Sequence, residues 1–157
     1  MPPLSELHFT TDIHCPVEAV FGLIADLSHY SRWLSSSNLY AEMAFVSDDP
    51  IKLGTTYVDQ GQSSIMKGSI TVFEPPTRIR FEQHTQIKLM GLDGGLDIQT
   101  DYTLANAGGI THLRRDVVFT TQGILKLAQP ILTRSIRKEN ERILQKMKTY
   151  LEATQAD

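Results

Sequence analysis

Near the start of the chain, Leu7, Phe9, Thr11 and Ile13 alternate with His8, Thr10, Asp12 and His14, a period of two that predicts a strand with one largely apolar face. Pro16 stops that strand and suits the first turn of a helix, where its missing N–H costs nothing. Behind it Val17, Val20, Phe21 and Ile24 fall at i, i+3, i+4 and i+7, an amphipathic helix with Glu18 near its positive end. Ser28 is placed to cap a second short helix carrying Tyr30, Trp33 and Leu34, and Ser35-Ser36-Ser37-Asn38 breaks the pattern. From Leu39 to Gln122 the pattern predicts strands over Tyr40–Ser47, Thr55–Gln60, Ile65–Glu74, Arg78–Thr85, Leu96–Ala105 and Thr111–Thr121. Asp48-Asp49-Pro50, Gly61, Pro75-Pro76, Gly94-Gly95 and Asn106-Ala107-Gly108-Gly109 supply the breaks.

The last predicted element is a long helix over Ile124–Ala153, with an apolar stripe running from Ile124, Leu127 and Ile131 to Met147 and Leu151. Pro130 is expected to kink it or to split off its first turns. The gaps between strands are mostly too short for parallel crossovers, so the sheet is expected to be antiparallel. A single α+β domain over residues 1–157 follows: seven curved antiparallel strands, two short helices after the first of them, and a long C-terminal helix laid on the sheet's apolar face. A strongly curved sheet cannot close on one helix along its full length, so an apolar cavity is expected between them. The stretch Ile87–Leu92 and the region of Pro130 are the expected mouth.

Composition narrows the function. The 157 residues are 41% hydrophobic, 21% charged and 8% aromatic, ordinary values for a globular chain. A net charge of −3 argues against a protein built to grip nucleic acid. The lone Cys15 excludes an internal disulfide framework, and the five histidines form no metal motif, so no metal or other cofactor is expected. The first residues lack the basic-then-apolar order of a secretory signal, and Ala19–Ala25 is the longest apolar run, far short of the roughly 20 residues needed to span a bilayer. A cytoplasmic location is the default expectation. Charge is nonetheless uneven: residues 1–123 hold 8 basic and 14 acidic residues, and residues 124–157 hold 7 basic and 4 acidic. The basic cluster Arg134, Arg137, Lys138, Arg142, Lys146 and Lys148 reads as a solvated helix face or as a weak docking strip for an anionic membrane or partner.

The runs Ile13-His14-Cys15-Pro16-Val17-Glu18-Ala19-Val20-Phe21 and Asp26-Leu27-Ser28-His29-Tyr30-Ser31-Arg32-Trp33-Leu34 resemble the opening of the polyketide cyclase/dehydrase and lipid-transport family of the START-like (SRPBCC) superfamily. Later segments of the family's pattern follow in order: Gly54-Thr55-Thr56-Tyr57, Val72-Phe73-Glu74-Pro75-Pro76-Thr77-Arg78-Ile79 and Thr111-His112-Leu113-Arg114-Arg115. The resemblance covers about Leu7 to Leu151. It implies a helix-grip fold with a hydrophobic ligand cavity between sheet and helix. Members carry lipids, bind quinones or plant hormones, cyclise polyketides or assist chaperones, and the fold does not choose among these.

Candidate cavity residues follow from the strand faces. Arg115 shares a face with Leu113, Val117 and Phe119, where the pattern of the family it resembles usually has an aromatic or other bulky residue. A buried cation demands a partner, so Arg115 meets a neighbouring-strand carboxylate, an exposed strand end, or the carboxylate or phosphate of a ligand. Gln83 (beside Phe81), Thr100 and Tyr102 are polar groups on apolar faces that orient a ligand or satisfy one another, and Tyr57 is a candidate of the same kind. Trp33 is either a core aromatic at the sheet's edge or, as the resemblance implies, part of the cavity wall. Leu127 and Ile131 supply the helix side. Asp97 and Asp101 fall on the opposite face from Ile98 and Tyr102, toward solvent, and no nucleophile–base arrangement appears. The expected function is binding or transport of a small, largely hydrophobic molecule of lipid, polyketide or isoprenoid type. The alternatives are a cyclase or dehydratase and an interaction module with a collapsed cavity.

Overall fold

The computed structural model describes residues 5–37, 40, 42–61 and 64–155, apart from the side chains of 88, 89 and 155. Seven strands form one antiparallel sheet: β1 Ser5–Ile13, β2 Glu42–Val46, β3 Thr56–Gln60, β4 Ile65–Glu74, β5 Arg78–Leu89, β6 Leu92–Ala107 and β7 Ile110–Gly123. Their spatial order is β1-β7-β6-β5-β4-β3-β2, a meander whose first strand returns to pair with the last. Helix α1 spans Val17–Ala25 and buries Val17, Val20, Phe21 and Ile24, the stripe its spacing predicts. The second short helix is a 3₁₀ segment, Leu27–Arg32, entered from Asp26 with no side-chain cap, so Ser28 lies inside it rather than capping it.

Two predicted boundaries moved for physical reasons. Gly94-Gly95 is not a turn; β5 and β6 pair from Arg78↔Thr103 to Leu89↔Leu92, and the reversal falls at Met90-Gly91, both at positive φ. Gly94 serves close packing instead, since a Cβ there would sit 2.8 Å from Leu125 Cγ. The expected mouth at Ile87–Leu92 is therefore the end of a strand hairpin. Pro130 divides the C-terminal segment as anticipated: a 3₁₀ turn, Ile124–Ala128, precedes helix α2, Gln129–Gln155, with Pro130 in its first turn. The Tyr40–Ser47 strand begins at Glu42, and Asn38, Leu39 and Ala41 lie outside the described residues.

Register stacks inner-face side chains in rungs across the sheet. Arg115 pairs with Tyr102 and Tyr102 with Ile79; Val117 pairs with Thr100 and Thr100 with Phe81. Register shifts at Met43/Phe45 and Ile70/Val72 are bulges of the kind that bend a sheet. One apolar cluster joins α1, the strands' inner face and the second half of α2 through Ile13, Ile24, Leu104, Leu113, Met147 and Leu151. Another joins Leu7, Met66, Leu96, Val117 and Phe119 to Leu125 in the 3₁₀ turn and Ile136 in the first half of α2. The outer face is charged, with Asp101 clamped by Arg78 and Arg80, and Asp97 bound by His84 and Gln122.

Gly68 has a specific role in this register. It sits between Tyr57 and Gln83, and a Cβ on it would overlap the Tyr57 ring, which crosses it to donate a 2.7 Å hydrogen bond to Gln83 Oε1. Gly68→Ala is expected to displace the ring, break that bond and destabilise the fold by roughly 1–3 kcal/mol, as overpacking does. Urea unfolding measures this, and an unchanged midpoint would refute the close approach.

Candidate functional site

A hollow of about 140 Å³ lies where the two apolar clusters meet. The sheet supplies its floor: Tyr57 and Asp59 from β3, Phe81 and Gln83 from β5, Leu96, Ile98, Thr100 and Tyr102 from β6, and Arg115 from β7. Helix α2 supplies the roof through Leu132, Ser135, Ile136, Glu139, Asn140 and Ile143, residues three or four apart on one helix face. Tyr30, Leu34, Tyr40 and Met43 close one end. The rings of Tyr57, Phe81 and Tyr102 stand edge to face in sequence, with centroids 5.9 and 6.1 Å apart, so the aromatic wall is continuous across three strands.

Arg115 dominates the electrostatics. It is buried, its Nε donates to Asn140 Oδ1 at 2.6 Å, and Nη1 is hydrogen-bonded to the Tyr102 hydroxyl. Its Cζ lies 4.9 Å from the centre of the Tyr102 ring. Asn140 is held in turn by donating to the Ile136 carbonyl at 2.7 Å. No carboxylate pairs with Arg115 among the described residues, so neither a neighbouring-strand salt bridge nor an exposed strand end accounts for it. Burial pushes its pKa down to about 10, which leaves a cation at neutral pH. A guanidinium has five N–H donors; its hydrogen-bond partners are a neutral amide and a phenol, and the Glu139 carboxylate favours its charged form from a distance without an ion pair to it among the described residues.

Two carboxyl groups face the same space. Glu139 accepts from the Ser37 hydroxyl at 2.5 Å and from Arg142 Nε at 2.7 Å, so its ion pair lies with its own helix. Asp59 differs: its Oδ1 is buried and has no hydrogen-bond partner among the described residues. Burial first, and the Glu139 carboxylate second, push the Asp59 carboxyl up to about 7. Burial also raises the pKa values of Tyr30, Tyr40 and Tyr57, so these phenols are neutral donors. Cys15 is buried with its thiol pushed up, the opposite of an activated nucleophile.

Of the residues expected around the cavity, Tyr57, Phe81, Gln83, Thr100, Tyr102 and Arg115 come together at this hollow. Gln83 is engaged by Tyr57 and Tyr102 by Arg115, so the polar groups satisfy one another in part. Val117 and Phe119 share the inner face but are packed inside the second cluster. Trp33 is a core aromatic, set edge-on to Tyr30 and behind the wall rather than in it. Leu127 and Ile131 do not line the hollow at all; they are 81% and 72% exposed, because the 3₁₀ turn seats Leu125 inward and rotates them out. Asp59, Glu139 and Asn140 were missed. The available signal for Asp59 was its place two residues after Tyr57, hence on the same strand face.

A curved sheet gripping one long helix around a partly polar hollow defines a helix-grip protein. The chain belongs to the polyketide cyclase / dehydrase and lipid transport family, whose model matches residues 6–152. No curated protein matches it. Among solved structures it resembles a conserved protein from Geobacillus kaustophilus (TM-score 0.72, 12% identity, 96% of this chain and 97% of that one). Ara h 8.0201 is similar to the same degree (TM-score 0.72, 12% identity, 96% and 99%). The di-domain ARO/CYC BexL from the BE-7585A biosynthetic pathway matches at a TM-score of 0.67 and 13% identity, with 95% of this chain spanning 50% of that one. At these identities the likeness extends to the fold alone.

The raised Asp59 pKa carries a pH signature. Stability linked to Asp59 is fully present below the unfolded carboxyl's pKa, near 3.9, and falls as pH rises until it levels off above about 7, because only the unfolded chain ionises freely in between. Asp59→Asn is expected to stabilise the protein more at pH 8 than at pH 5, by on the order of 2–3 kcal/mol. Urea unfolding at both values checks it; an equal effect at both would refute a buried, unpaired carboxyl.

Proposed function

We propose that the protein binds a compact, largely hydrophobic molecule bearing an anionic or strongly hydrogen-bond-accepting group, with that group on Arg115. The observation that carries this reading is the buried Arg115 charge facing the hollow with no carboxylate in ion-pair contact among the described residues. Apolar contacts with Phe81, Ile98, Ile136 and Ile143 supply affinity at roughly 25 cal/mol per Å² buried. Arg115, with Tyr102 and Gln83, supplies orientation. The volume favours a single ring with short substituents, since a cavity of about 150 Å³ is one that accepts benzene. A long acyl chain requires the walls to part.

Asp59 supports a second reading, a cyclase- or dehydratase-type enzyme. A carboxyl that titrates near neutrality inside an apolar site is suited to general acid–base work. As a carboxylate it would remove an α-proton from a bound ketone, the electron pair passing to the carbonyl oxygen as an enolate held by Arg115, and the proton would then be returned to carbon.

Two measurements separate these readings. In NMR titrations, Arg115→Leu is expected to weaken 4-ethylbenzoate roughly 10- to 100-fold, the worth of a charge-assisted hydrogen bond, while 4-ethylbenzamide changes little. Equal losses for both would remove Arg115 as the anchor. For the enzyme, the protein is expected to accelerate α-deuterium exchange of acetophenone in D₂O, with Asp59→Asn abolishing exchange yet retaining 4-ethylbenzoate binding. No acceleration by the wild type would leave the binding reading alone standing.

A further inference from the structure

The start of the C-terminal segment faces two ways. Residues 124–138 contain no acidic residue and four basic ones, Lys126, Arg134, Arg137 and Lys138. One side of this segment is internal: Leu125 packs on Gly94, and Leu132, Ser135 and Ile136 line the hollow. The other side presents Leu127 and Ile131 to solvent, one helical turn apart, and Arg134 and Lys138 continue the same exposed stripe.

The β5–β6 hairpin ends beside it. Gly94 pairs with Gly123, immediately before the 3₁₀ turn, so the hairpin tip begins two residues beyond the point where that turn packs. At the tip Met90 is 97% exposed and Leu92 54%. Four of the seven large apolar side chains exposed among the described residues thus gather at this end, whereas isolated exposed apolar residues need no explanation. Lys126, Arg134, Arg137 and Lys138 form no ion pair among the described residues, while Arg142 and Lys148 farther along α2 are paired with Glu139 and Glu152.

We propose that this end of the molecule, Met90, Leu92, Leu127 and Ile131 with the neighbouring cations Lys126, Arg134 and Lys138, docks on an anionic phospholipid surface. Exposed apolar side chains in line with cations that form no ion pair among the described residues match the interface of such a bilayer, where each basic residue near the surface strengthens binding about fivefold. Residues 1–123, which carry 8 basic and 14 acidic residues, are net negative, so the chain away from the docking end is repelled by the same surface and this orientation is favoured. A second copy of the chain is a poorer occupant, because a two-fold contact here sets like cations against one another. Docking brings the wall formed by Leu132, Ser135 and Ile136 next to the bilayer, and it does not depend on which molecule the hollow takes.

The test is co-sedimentation of the full chain with phosphatidylcholine vesicles, with and without roughly one third phosphatidylserine. Binding is expected only with phosphatidylserine and is lost at high salt. Leu127→Asp with Ile131→Asp, and separately Arg134→Glu with Lys138→Glu, are each expected to lower it more than tenfold with circular dichroism and Tm unchanged; all four residues are exposed. Wild type that ignores both vesicles, binds pure phosphatidylcholine equally, or binds no better than either folded double variant would overturn the proposal. So would a dimer in light scattering that the same substitutions dissolve.

Discussion

A buried positive charge organises the middle of this protein. Arg115 projects from β7 into the gap between sheet and α2, where Asn140 and Tyr102 hydrogen-bond to it. A guanidinium removed from water needs donors satisfied and charge balanced, and closing apolar side chains around it would forfeit both. The apolar clusters pack tightly on either side, and the hollow is found between them, at the charge. Asn140 reaches the guanidinium only because its own amide is locked to the Ile136 carbonyl, so the tie joins β7 to a fixed turn of α2.

The groups around that charge sort by how they are compensated. Glu139 has Ser37 and Arg142, and Asp101 on the outer face has Arg78 and Arg80, whose hydrogen bonds hold its carboxyl below its ordinary pKa against the opposing effect of burial. Asp59 has no such donor on Oδ1 among the described residues and is raised instead. Among the described residues, one cavity therefore presents a cation without an ion-pair partner and an acid whose Oδ1 lacks a donor, amid a largely apolar wall. Such a pair suits a guest with polarity at its edges and carbon at its centre.

Legibility in the sequence followed the strength of the local rule. Period-two alternation in β5, β6 and β7 located Phe81, Gln83, Thr100, Tyr102 and Arg115 on one inner face, because successive strand residues must point to opposite sides. Asp59, followed by Gln60 and Gly61 at the end of a short strand, has the local character of a solvated turn; only β4 beside it and α2 above it bury the carboxyl. Glu139 and Asn140 lie in a charged run of α2, where spacing alone does not say which polar residue turns inward. Leu127 and Ile131 failed for the converse reason: residues 124–136 are apolar on more than one side, so periodicity could not identify the buried stripe.

The sequence by itself determined the strands and their faces, the division of the C-terminal segment at Pro130 and the single-sheet, single-long-helix architecture, since these depend on backbone sterics and on side chains a few positions apart. Only the tertiary structure decided that Arg115 is solvated by Asn140 and Tyr102 rather than by a carboxylate, that Asp59 is desolvated, and that Leu127 and Ile131 face outward. Each of those outcomes depends on how the curved sheet meets α2, through contacts between residues on different elements and far beyond the few positions over which local pattern carries information.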